Sequence, residues 1–260
     1  KFIKMSDLTE AQCVSLVERR IVSPEFISNT EGRALLVNSD ESLSIMINEE
    51  DHIRIQAITK GLALEQTYDL VDKLDTLLDE SLDFAFSEKL GYLTQCPTNL
   101  GTGMRASVML HLPALEKSRA IGRIAGNLSK LGLTIRGTHG EGTEPKGSLY
   151  QLSNQVTLGI SEKAAIENLK NITSQLISQE ELARERICSN IDIQDSISRS
   201  LGILKYARTI THDEALQLLS NVRLGIVSGQ LKDVPLLTID KLMTDVEPAR
   251  SEEHTSELQS

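Results

Sequence analysis

The segment from Cys96 to Arg105 constrains the fold of this chain more than any other stretch. Its sequence, CPTNLGTGMR, brings together a thiol, a compact turn of small polar residues and an arginine. A short apolar strand (92–94) precedes it and a longer strand (105–112) follows, so it is expected to be a loop between two strands. Such a turn can direct several backbone N–H groups into one concavity that suits an anion. The arginine would add a planar fork matched to phosphate oxygens, and the same positive field would favour the thiolate of the cysteine.

The composition is that of an ordinary globular chain. Of its 260 residues, 40% are hydrophobic and 25% are charged. No run approaches the ~20 apolar residues that a membrane helix requires. The three widely spaced cysteines include no CxxC pair, which argues against disulfides and a zinc cluster and favours a reducing cytoplasm. The net charge of −10 argues against a nucleic-acid surface.

Both ends of the sequence are expected to be cut. The chain begins at Lys1 within what reads as domain sequence, without an initiator Met or a signal peptide. Its last residues, RSEEHTSELQS (250–260), read as an in-frame translation of a sequencing-library adapter. We therefore expect residues 1–249 to be an internal part of a longer protein and residues 250–260 to be an artefactual tail.

Hydrophobic periodicity predicts an α+β region with a largely antiparallel sheet flanked by helices, followed by a region of helices alone. The predicted strands are 34–37, 43–48, 52–59, 92–94, 105–112, 133–138 and 149–152. The predicted helices are 8–19, 62–90, 115–131, 162–188, 193–207, 213–228 and 239–246. A tight connection between strands 43–48 and 52–59 indicates an antiparallel pair.

Two further clusters of polar residues lie in the α+β region. NEEDHIR (48–54) contains three adjacent carboxylates, which repel one another and need water or a cationic partner. RGTHGEGTE (136–144) combines an arginine, three glycines and two glutamates, as in a loop that closes over a ligand. Taken alone, the cluster 48–54 is most simply a solvated turn, and the cluster 136–144 is as well explained by a flexible surface loop as by a ligand-binding loop. Cys96 taken alone is most simply a small buried residue. Together in one region they favour a functional site, whereas His111 and His212 are expected to be structural or surface residues.

Three segments occur here in the order INEEDHIRI, YLTQCPTNLGTGMRASVMLHLP and RGTHGEGTE. In order and residue detail they resemble the phosphagen (guanidino) kinase family, and most closely its bacterial protein-arginine kinase branch. The similarity extends through residues 1–249. It implies a partial guanidino-kinase catalytic domain of glutamine-synthetase-like fold over 1–184 and a truncated helical C-terminal domain over 185–249. It also implies direct transfer of the γ-phosphoryl group of MgATP to a guanidinium nitrogen, with ATP and Mg²⁺ as cofactors.

The resemblance also implies roles for individual residues. Glu50 corresponds to the carboxylate that holds the substrate guanidinium and helps to remove its proton, which is needed because a free guanidinium has a pKa above ~12. Cys96 corresponds to the reactive cysteine whose thiolate pairs with the guanidinium. Glu141 and Glu144 are both candidates for the second substrate carboxylate, with Glu141 preferred, and Glu49 is a further catalytic candidate. The implied nucleotide-binding residues are Arg54, Arg105, Ala106, Ser107, Val108, Met109, Arg136, Gly137, Thr138, His139, Gly140 and Glu141.

The partners follow from the same resemblance. They are proteins that present arginine (a heat-shock repressor and unfolded proteins), an activator protein, a Clp-type protease that receives the marked proteins during stress, and a second copy of the chain; no nucleic acid or membrane is expected.

Two alternatives stay open: a kinase of free arginine or another small guanidine, and a non-catalytic homologue that binds ATP or phosphoarginine. The family's arginine-rich nucleotide segment would precede Lys1, and small-guanidine kinases tend to have arginine where His139 stands. We therefore expect the chain as given to lack part of the ATP clamp.

Overall fold

The computed structural model describes residues 1–137 and 145–247. This part of the chain forms two compact units, each made of two chain segments. Unit 1 comprises residues 1–104 and 156–166, and unit 2 comprises residues 105–155 and 167–247. Both contain antiparallel strands and helices, so the predicted α+β class is confirmed. Within the described residues, no helix is long and apolar enough to cross a membrane.

Unit 1 is built on a four-stranded antiparallel sheet. Its strands follow one another in space as in sequence: β1 (Phe2–Lys4), β2 (Ala34–Val37), β3 (Leu43–Ile47) and β4 (Ile53–Ala57). Successive side chains of a strand point to opposite faces, and the paired residues Leu35 and Met46 are both fully buried on one of them. Helices α1 (Glu10–Glu18) and α2 (Pro24–Ile27) contribute to the same core, which includes the fully buried Phe26.

Helix α1 begins later than its sequence predicts. Thr9 is its N-cap, because the Thr9 hydroxyl accepts a hydrogen bond from the Gln12 N–H while the Gln12 side chain accepts one from the Thr9 N–H. This reciprocal capping box satisfies two backbone donors at the helix start.

The predicted helix 62–90 is also wrong in its second half. Helix α3 spans Leu64–Asp79, and the chain then forms the short hairpin β5 (Phe86–Ser87) and β6 (Gly91–Tyr92). The Tyr92 ring packs edge-on against Phe86 and Phe84, at centroid distances of 5.2 and 6.1 Å. Tertiary packing of the aromatic residues therefore overrides the leucine periodicity that continues past the helix end.

Unit 2 carries a three-stranded antiparallel sheet in the order β7 (Ser107–His111), β9 (Leu149–Asn154), β8 (Leu133–Gly137). Its helices are α4 (Pro113–Lys117), α5 (Ile121–Lys130), α6 (Glu162–Ile187, of which residues from 167 onward belong to this unit), α7 (Ile191–Tyr206), α8 (His212–Val227) and α9 (Leu236–Asp245). The single helix predicted over 115–131 is wrong, because the chain breaks it between α4 and α5, where Arg119 has a left-handed φ of 56°.

The late helices of unit 2 pack directly on the elements that follow β8. Gly147, with φ of 61°, is buried so closely that an added Cβ would lie 3.2 Å from the Leu216 carbonyl oxygen of α8 and 3.3 Å from Met243 Cε of α9. His111 and His212 both bond to neighbouring side chains in this unit. The sheet and the helical region therefore share one structural unit, while the functional domains over 1–184 and 185–249 stay predictions.

Candidate active site

The turn between β3 and β4 presents the three carboxylates on unit 1. Asn48 occupies the left-handed region with φ of 62°, a conformation that asparagine adopts more readily than most residues. Its N–H donates to the His52 carbonyl at 2.9 Å and its side-chain amide donates to the Gly32 carbonyl at 2.8 Å. The tight connection expected from the sequence is thus present, with residues 49–51 at its tip.

Glu49 and Glu50 lie in different environments. The Glu49 side chain is only 6% exposed, and its Oε1 accepts hydrogen bonds from Arg54 Nη1 at 2.9 Å and from the Ser23 hydroxyl at 2.5 Å. Ser23 also caps α2, since its oxygen accepts the Phe26 N–H at 3.1 Å. Glu50, by contrast, is exposed, and its side chain has no hydrogen-bond partner among the described residues. Glu49 is therefore fixed, whereas Glu50 is available to a ligand.

Asp51 joins the turn to the loop that carries the thiol. Its Oδ1 accepts a hydrogen bond from the Gln95 backbone N–H at 2.8 Å. Glu50 precedes Asp51 and Cys96 follows Gln95, so the carboxylate and the thiol are each one residue away from this bond. The two segments, 44 residues apart in sequence, thus meet within unit 1.

Cys96 is half-buried at the start of a short 3₁₀ turn, Pro97–Asn99. Its Sγ lies 3.0 Å from Thr98 Oγ1, and its carbonyl oxygen accepts hydrogen bonds from the Thr94 hydroxyl at 2.8 Å and the Asn99 N–H at 3.0 Å. Because a thiolate has no proton to donate, the Thr98 hydroxyl would be the donor to a charged sulfur. The loop therefore holds the sulfur beside a hydroxyl suited to its negative form.

The rest of the loop is clamped by Thr157. The Thr157 hydroxyl lies 2.9 Å from the Thr98 carbonyl and 2.8 Å from the Leu100 carbonyl, and the Thr157 carbonyl accepts the Thr102 N–H at 3.0 Å. Gly101 adopts φ of 109°, and a Cβ there would lie 2.3 Å from the Thr157 oxygen. Only glycine fits this approach.

The anion cradle expected from the backbone of this loop is not formed. The N–H groups of five of its residues donate to acceptors within the chain: Asn99, Leu100, Gly101, Thr102 and Met104. These amides build the loop itself, so that prediction is wrong. The loop contributes a positioned thiol rather than a nest of N–H donors.

The predicted nucleotide-binding residues of unit 2 follow one face of its sheet. Met109 of β7 and Arg136 of β8 both pair with Gln151 of the central strand β9, and all three are exposed. Alternation along β7 adds Ser107 and the exposed Arg105 to that face. The opposite face, with Leu110, Leu133, Ile135, Tyr150 and Leu152, is buried. The sheet thus presents two guanidinium groups on a solvent-facing surface.

The backbone next to Arg105 is held by Asn154. The buried Asn154 accepts the Ala106 N–H on its side-chain oxygen at 2.7 Å and donates its own N–H to the Ala106 carbonyl at 3.2 Å. This extends the β7–β9 ladder to the residue after Arg105. Val108 is half-buried in β7, and Gly137 closes β8, where an added Cβ would lie 3.0 Å from Pro145 Cα.

The remaining predicted site residues lie outside the described part of the chain: Thr138, His139, Gly140, Glu141 and Glu144. Their roles stay predictions. Sequence reasoning, in turn, missed Ser23, Thr157 and Asn154. The Ser-Pro-Glu start of α2 signals a helix cap, but no local pattern connects Ser23 with Glu49 or Thr157 with the Cys96 loop, since these contacts join distant segments.

Comparison with known proteins decides the family. A family model described as ATP:guanido phosphotransferase, C-terminal catalytic domain, matches residues 1–183. The chain belongs to this guanidino kinase family. A second model, described as protein-arginine kinase McsB C-terminal domain, matches residues 190–259 and assigns this guanidino kinase to the protein-arginine kinase branch. That match includes most of the segment 250–260, whose origin as adapter sequence stays a prediction.

Individual relatives agree with this assignment. This guanidino kinase is 51% identical over 250 residues to the protein-arginine kinase of Halothermothrix orenii, covering 95% of this chain and 72% of the relative. It is 48% identical over 239 residues to that of Clostridium acetobutylicum, covering 91% and 70%. Among solved structures, the duplicated taurocyamine kinase from Schistosoma mansoni with bound transition state analog components aligns with a TM-score of 0.64 and 28% identity over 76% of this chain and 30% of that one. A lombricine kinase aligns at 0.59 and 27%, over 70% and 53%. The expected family, fold class and phosphotransferase activity are confirmed.

Proposed function

We propose that this guanidino kinase is part of a protein-arginine kinase, which transfers the γ-phosphoryl group of MgATP to arginine side chains of proteins. The observation that carries the phosphotransfer site is the Asp51–Gln95 hydrogen bond, because it joins the turn bearing the free carboxylate Glu50 to the loop bearing Cys96. The match of residues 190–259 to a C-terminal domain of protein-arginine kinases supports protein arginine as the substrate.

The reaction needs a neutral guanidine nitrogen. Glu50 binds the substrate guanidinium and accepts one of its protons, which frees a lone pair on that nitrogen. The thiolate of Cys96 pairs with the positive charge of the guanidinium before this proton leaves, and with the positive charge that develops on the group again as the N–P bond forms. The freed lone pair forms the N–P bond to the γ-phosphorus as the bond to the β–γ bridging oxygen breaks, and ADP leaves with that electron pair. Because such transfer is mainly positioning and charge stabilisation, a fixed carboxylate–thiol pair supports it.

Three arginines are proposed to hold the nucleotide phosphates. Arg105 and Arg136 lie on the exposed face of the unit 2 sheet, and planar guanidinium groups match phosphate oxygens in pairs. Arg54 forms an ion pair with Glu49 through one nitrogen, and its side chain is 46% exposed. Ala106 to Met109 and Gly137 to Glu141 would complete the nucleotide-binding segments.

Mg²⁺ is proposed to enter with ATP. Within residues 1–137 and 145–247, no group of three or more His, Cys, Asp or Glu side chains could hold a metal ion. Mg²⁺ usually keeps several waters and binds substrate phosphates, so the phosphates of ATP would supply its ligands. Glu141 and Glu144 stay candidates for the second substrate carboxylate.

The partners are proposals of the same kind. They are arginine-presenting proteins (a heat-shock repressor and unfolded proteins), an activator protein, a Clp-type protease and a second copy of the chain, all in the cytoplasm. The net charge of −10 supports basic, arginine-rich substrates, since opposite charge raises encounter rates.

A kinase of free arginine or another small guanidine is the second candidate. The structural likeness to a taurocyamine kinase and a lombricine kinase supports it. A regulatory homologue that binds ATP or phosphoarginine without turnover is a third reading. The retention of both an unpartnered Glu50 and the positioned Cys96 favours catalysis over binding alone.

One assay separates the three candidates. The full reading frame, freed of residues 250–260, is incubated with MgATP and either an unstructured arginine-rich protein or free arginine, and phosphoarginine is detected by mass spectrometry without acid. Phosphate on protein arginines is the expected result. Phosphate on free arginine alone would assign the chain to the small-guanidine kinases, and ATP binding without transfer would favour the regulatory homologue.

A further inference from the structure

Unit 2 contains a cavity that the phosphotransfer site does not use. Its volume is about 130 Å³, and it is open to solvent. Taking ~30 Å³ as one water's share of the liquid, this is space for about four waters or one small ion of a few heavy atoms. Arg184 of α6, Arg223 of α8 and His111 of β7 line it together with Glu180 and the apolar side chains of Ile177 and Val227.

His111 lies beside positively charged side chains in this cavity. Arg223 Nη1 lies 3.1 Å from His111 Nδ1, and a guanidinium can only donate, so Nδ1 accepts and Nε2–H donates to the Ser220 hydroxyl at 2.8 Å. Burial, followed by the charges of Arg223 and Arg184, lowers the pKa of His111 to about 3. The imidazole is therefore neutral, and both of its nitrogens are already bonded.

The acidic groups near the cavity are already engaged. The two oxygens of the buried Glu180 accept the Ala114 and Leu115 N–H groups at the start of α4, each at 2.9 Å. Asp240 of α9 accepts the Arg223 Nε–H at 2.7 Å. Glu180 is therefore matched by backbone donors, and the charge of Arg223 is matched by Asp240.

Arg184 is the cation left without an acceptor. Its side chain is half-buried, and within the described ranges it forms no hydrogen bond and no ion pair. Its charge nevertheless acts to lower the pKa values of Glu180 and His111. A guanidinium that loses water without gaining an acceptor is costly, and it offers donors in a fork that matches a carboxylate. Arg184 therefore offers unused hydrogen-bond donors to an anion, while the nearby carboxylate of Glu180 offsets part of its charge.

We propose that this cavity binds a small monovalent oxyanion of the carboxylate class, whose oxygens accept hydrogen bonds from Arg184 and Arg223. Its short aliphatic part lies against Ile177 and Val227. A doubly charged phosphate fits less well, because Glu180 and Asp240 already offset the charges of the two arginines and a dianion would leave a larger excess of negative charge than a monoanion in a half-buried space.

The test is a titration of the full chain with acetate, followed by the ¹⁵N signals of the His111 ring. We expect a saturable shift of those signals, and about tenfold weaker binding in Arg184→Gln from loss of charged hydrogen bonds. Arg186→Gln is the matched control, since Arg186 is an exposed arginine of the same helix. Ile177→Asp, which adds a carboxylate at a position 38% exposed, is expected to abolish binding and tests the site should Arg184→Gln fail to fold.

Three results would overturn the proposal. The first is the absence of a saturable shift in the wild-type chain. The second is an equal loss of binding in Arg186→Gln, or unchanged binding in both Arg184→Gln and Ile177→Asp. The third is tighter binding of inorganic phosphate than of acetate, which would replace the carboxylate class with a phosphate site.

Discussion

At the scale of single residues, the thiol of Cys96 is the sharpest test of the chemistry. If its thiolate pairs with the substrate guanidinium, Cys96→Ala should lower kcat for phosphoryl transfer by about 10²-fold or more, because charge stabilisation at the reacting group is lost. The measurement is ADP release coupled to phosphoarginine formation. Cys188→Ala is the control, since Cys188 is likewise half-buried but lies in unit 2 between α6 and α7. A near-normal rate in Cys96→Ala would remove the thiolate role.

Ser23 links the stability of α2 to the position of Glu49. Its hydroxyl donates to the Glu49 carboxylate and its oxygen caps α2. Ser23→Ala loses both bonds, so we expect the free energy of unfolding to fall by about 1–3 kcal/mol. Urea unfolding followed by circular dichroism measures this loss. Ser23→Thr keeps the hydroxyl and should stay near the wild-type value; an equal loss in both variants would mean that the hydroxyl is not the cause.

At the scale of elements, Asp51 holds the β3–β4 turn against the Cys96 loop through one side-chain oxygen. Asp51→Asn keeps an oxygen acceptor for the Gln95 N–H, whereas Asp51→Ala removes it. We expect kcat/KM to fall about tenfold in the alanine variant from misplacement of Glu50 relative to Cys96, with a much smaller change in the asparagine variant. Equal rates in both variants, at unchanged thermal stability, would show that the tie does not position the site.

Gly101 tests how tightly Thr157 clamps the same loop. Gly101→Ala places a Cβ 2.3 Å from the Thr157 carbonyl oxygen in a left-handed conformation, and should cost about 1–3 kcal/mol or more of stability. Gly122→Ala is the matched control, because Gly122 lies inside α5 with nothing within 4 Å of the added Cβ and should gain up to ~1 kcal/mol. Urea unfolding compares them; a Gly101→Ala chain as stable as Gly122→Ala would contradict the clamp.

These elements also show how far sequence reasoning reaches. The strands of the β3–β4 hairpin, the turn bearing three carboxylates and the start of the Cys96 loop follow from local alternation and turn chemistry. The end of α3 does not follow from the sequence, because the leucine pattern continues past Asp79, where the chain instead forms a segment in which Tyr92 packs on Phe84 and Phe86. The hydrogen bond between Ser23 and Glu49 could not be predicted either, since these residues lie 26 positions apart.

At the scale of the whole molecule, the three-stranded sheet of unit 2 and the helical region belong to one unit and are joined by half-buried polar contacts. His111 at the end of β7 bonds to Ser220 and Arg223 of α8, and Arg223 bonds to Asp240 of α9. The imidazole of His111 therefore joins β7 to α8, two elements that are far apart in sequence. The stability of this unit should depend on pH through that group.

The direction of the pH dependence follows from the lowered pKa of His111. Its folded pKa is about 3, while an unfolded histidine titrates near 6.5, so the unfolded chain binds more protons between these values. The contribution is fully present above pH ~6.5 and is lost progressively as the pH falls towards ~3, by an amount on the order of 5 kcal/mol over the whole range. Urea unfolding between pH 4.5 and pH 7 should show this slope in the wild-type chain and a shallower one in His111→Gln, which keeps polar atoms but cannot be protonated. Burial contributes most to the lowered pKa of His111, and the charges of Arg223 on α8 and Arg184 on α6 add to it, so Arg184→Gln should reduce the slope part-way. Identical slopes in the wild type and His111→Gln would mean that the pKa of His111 is the same in the folded and the unfolded chain, and would contradict its lowering by burial and by the positive charges of the cavity.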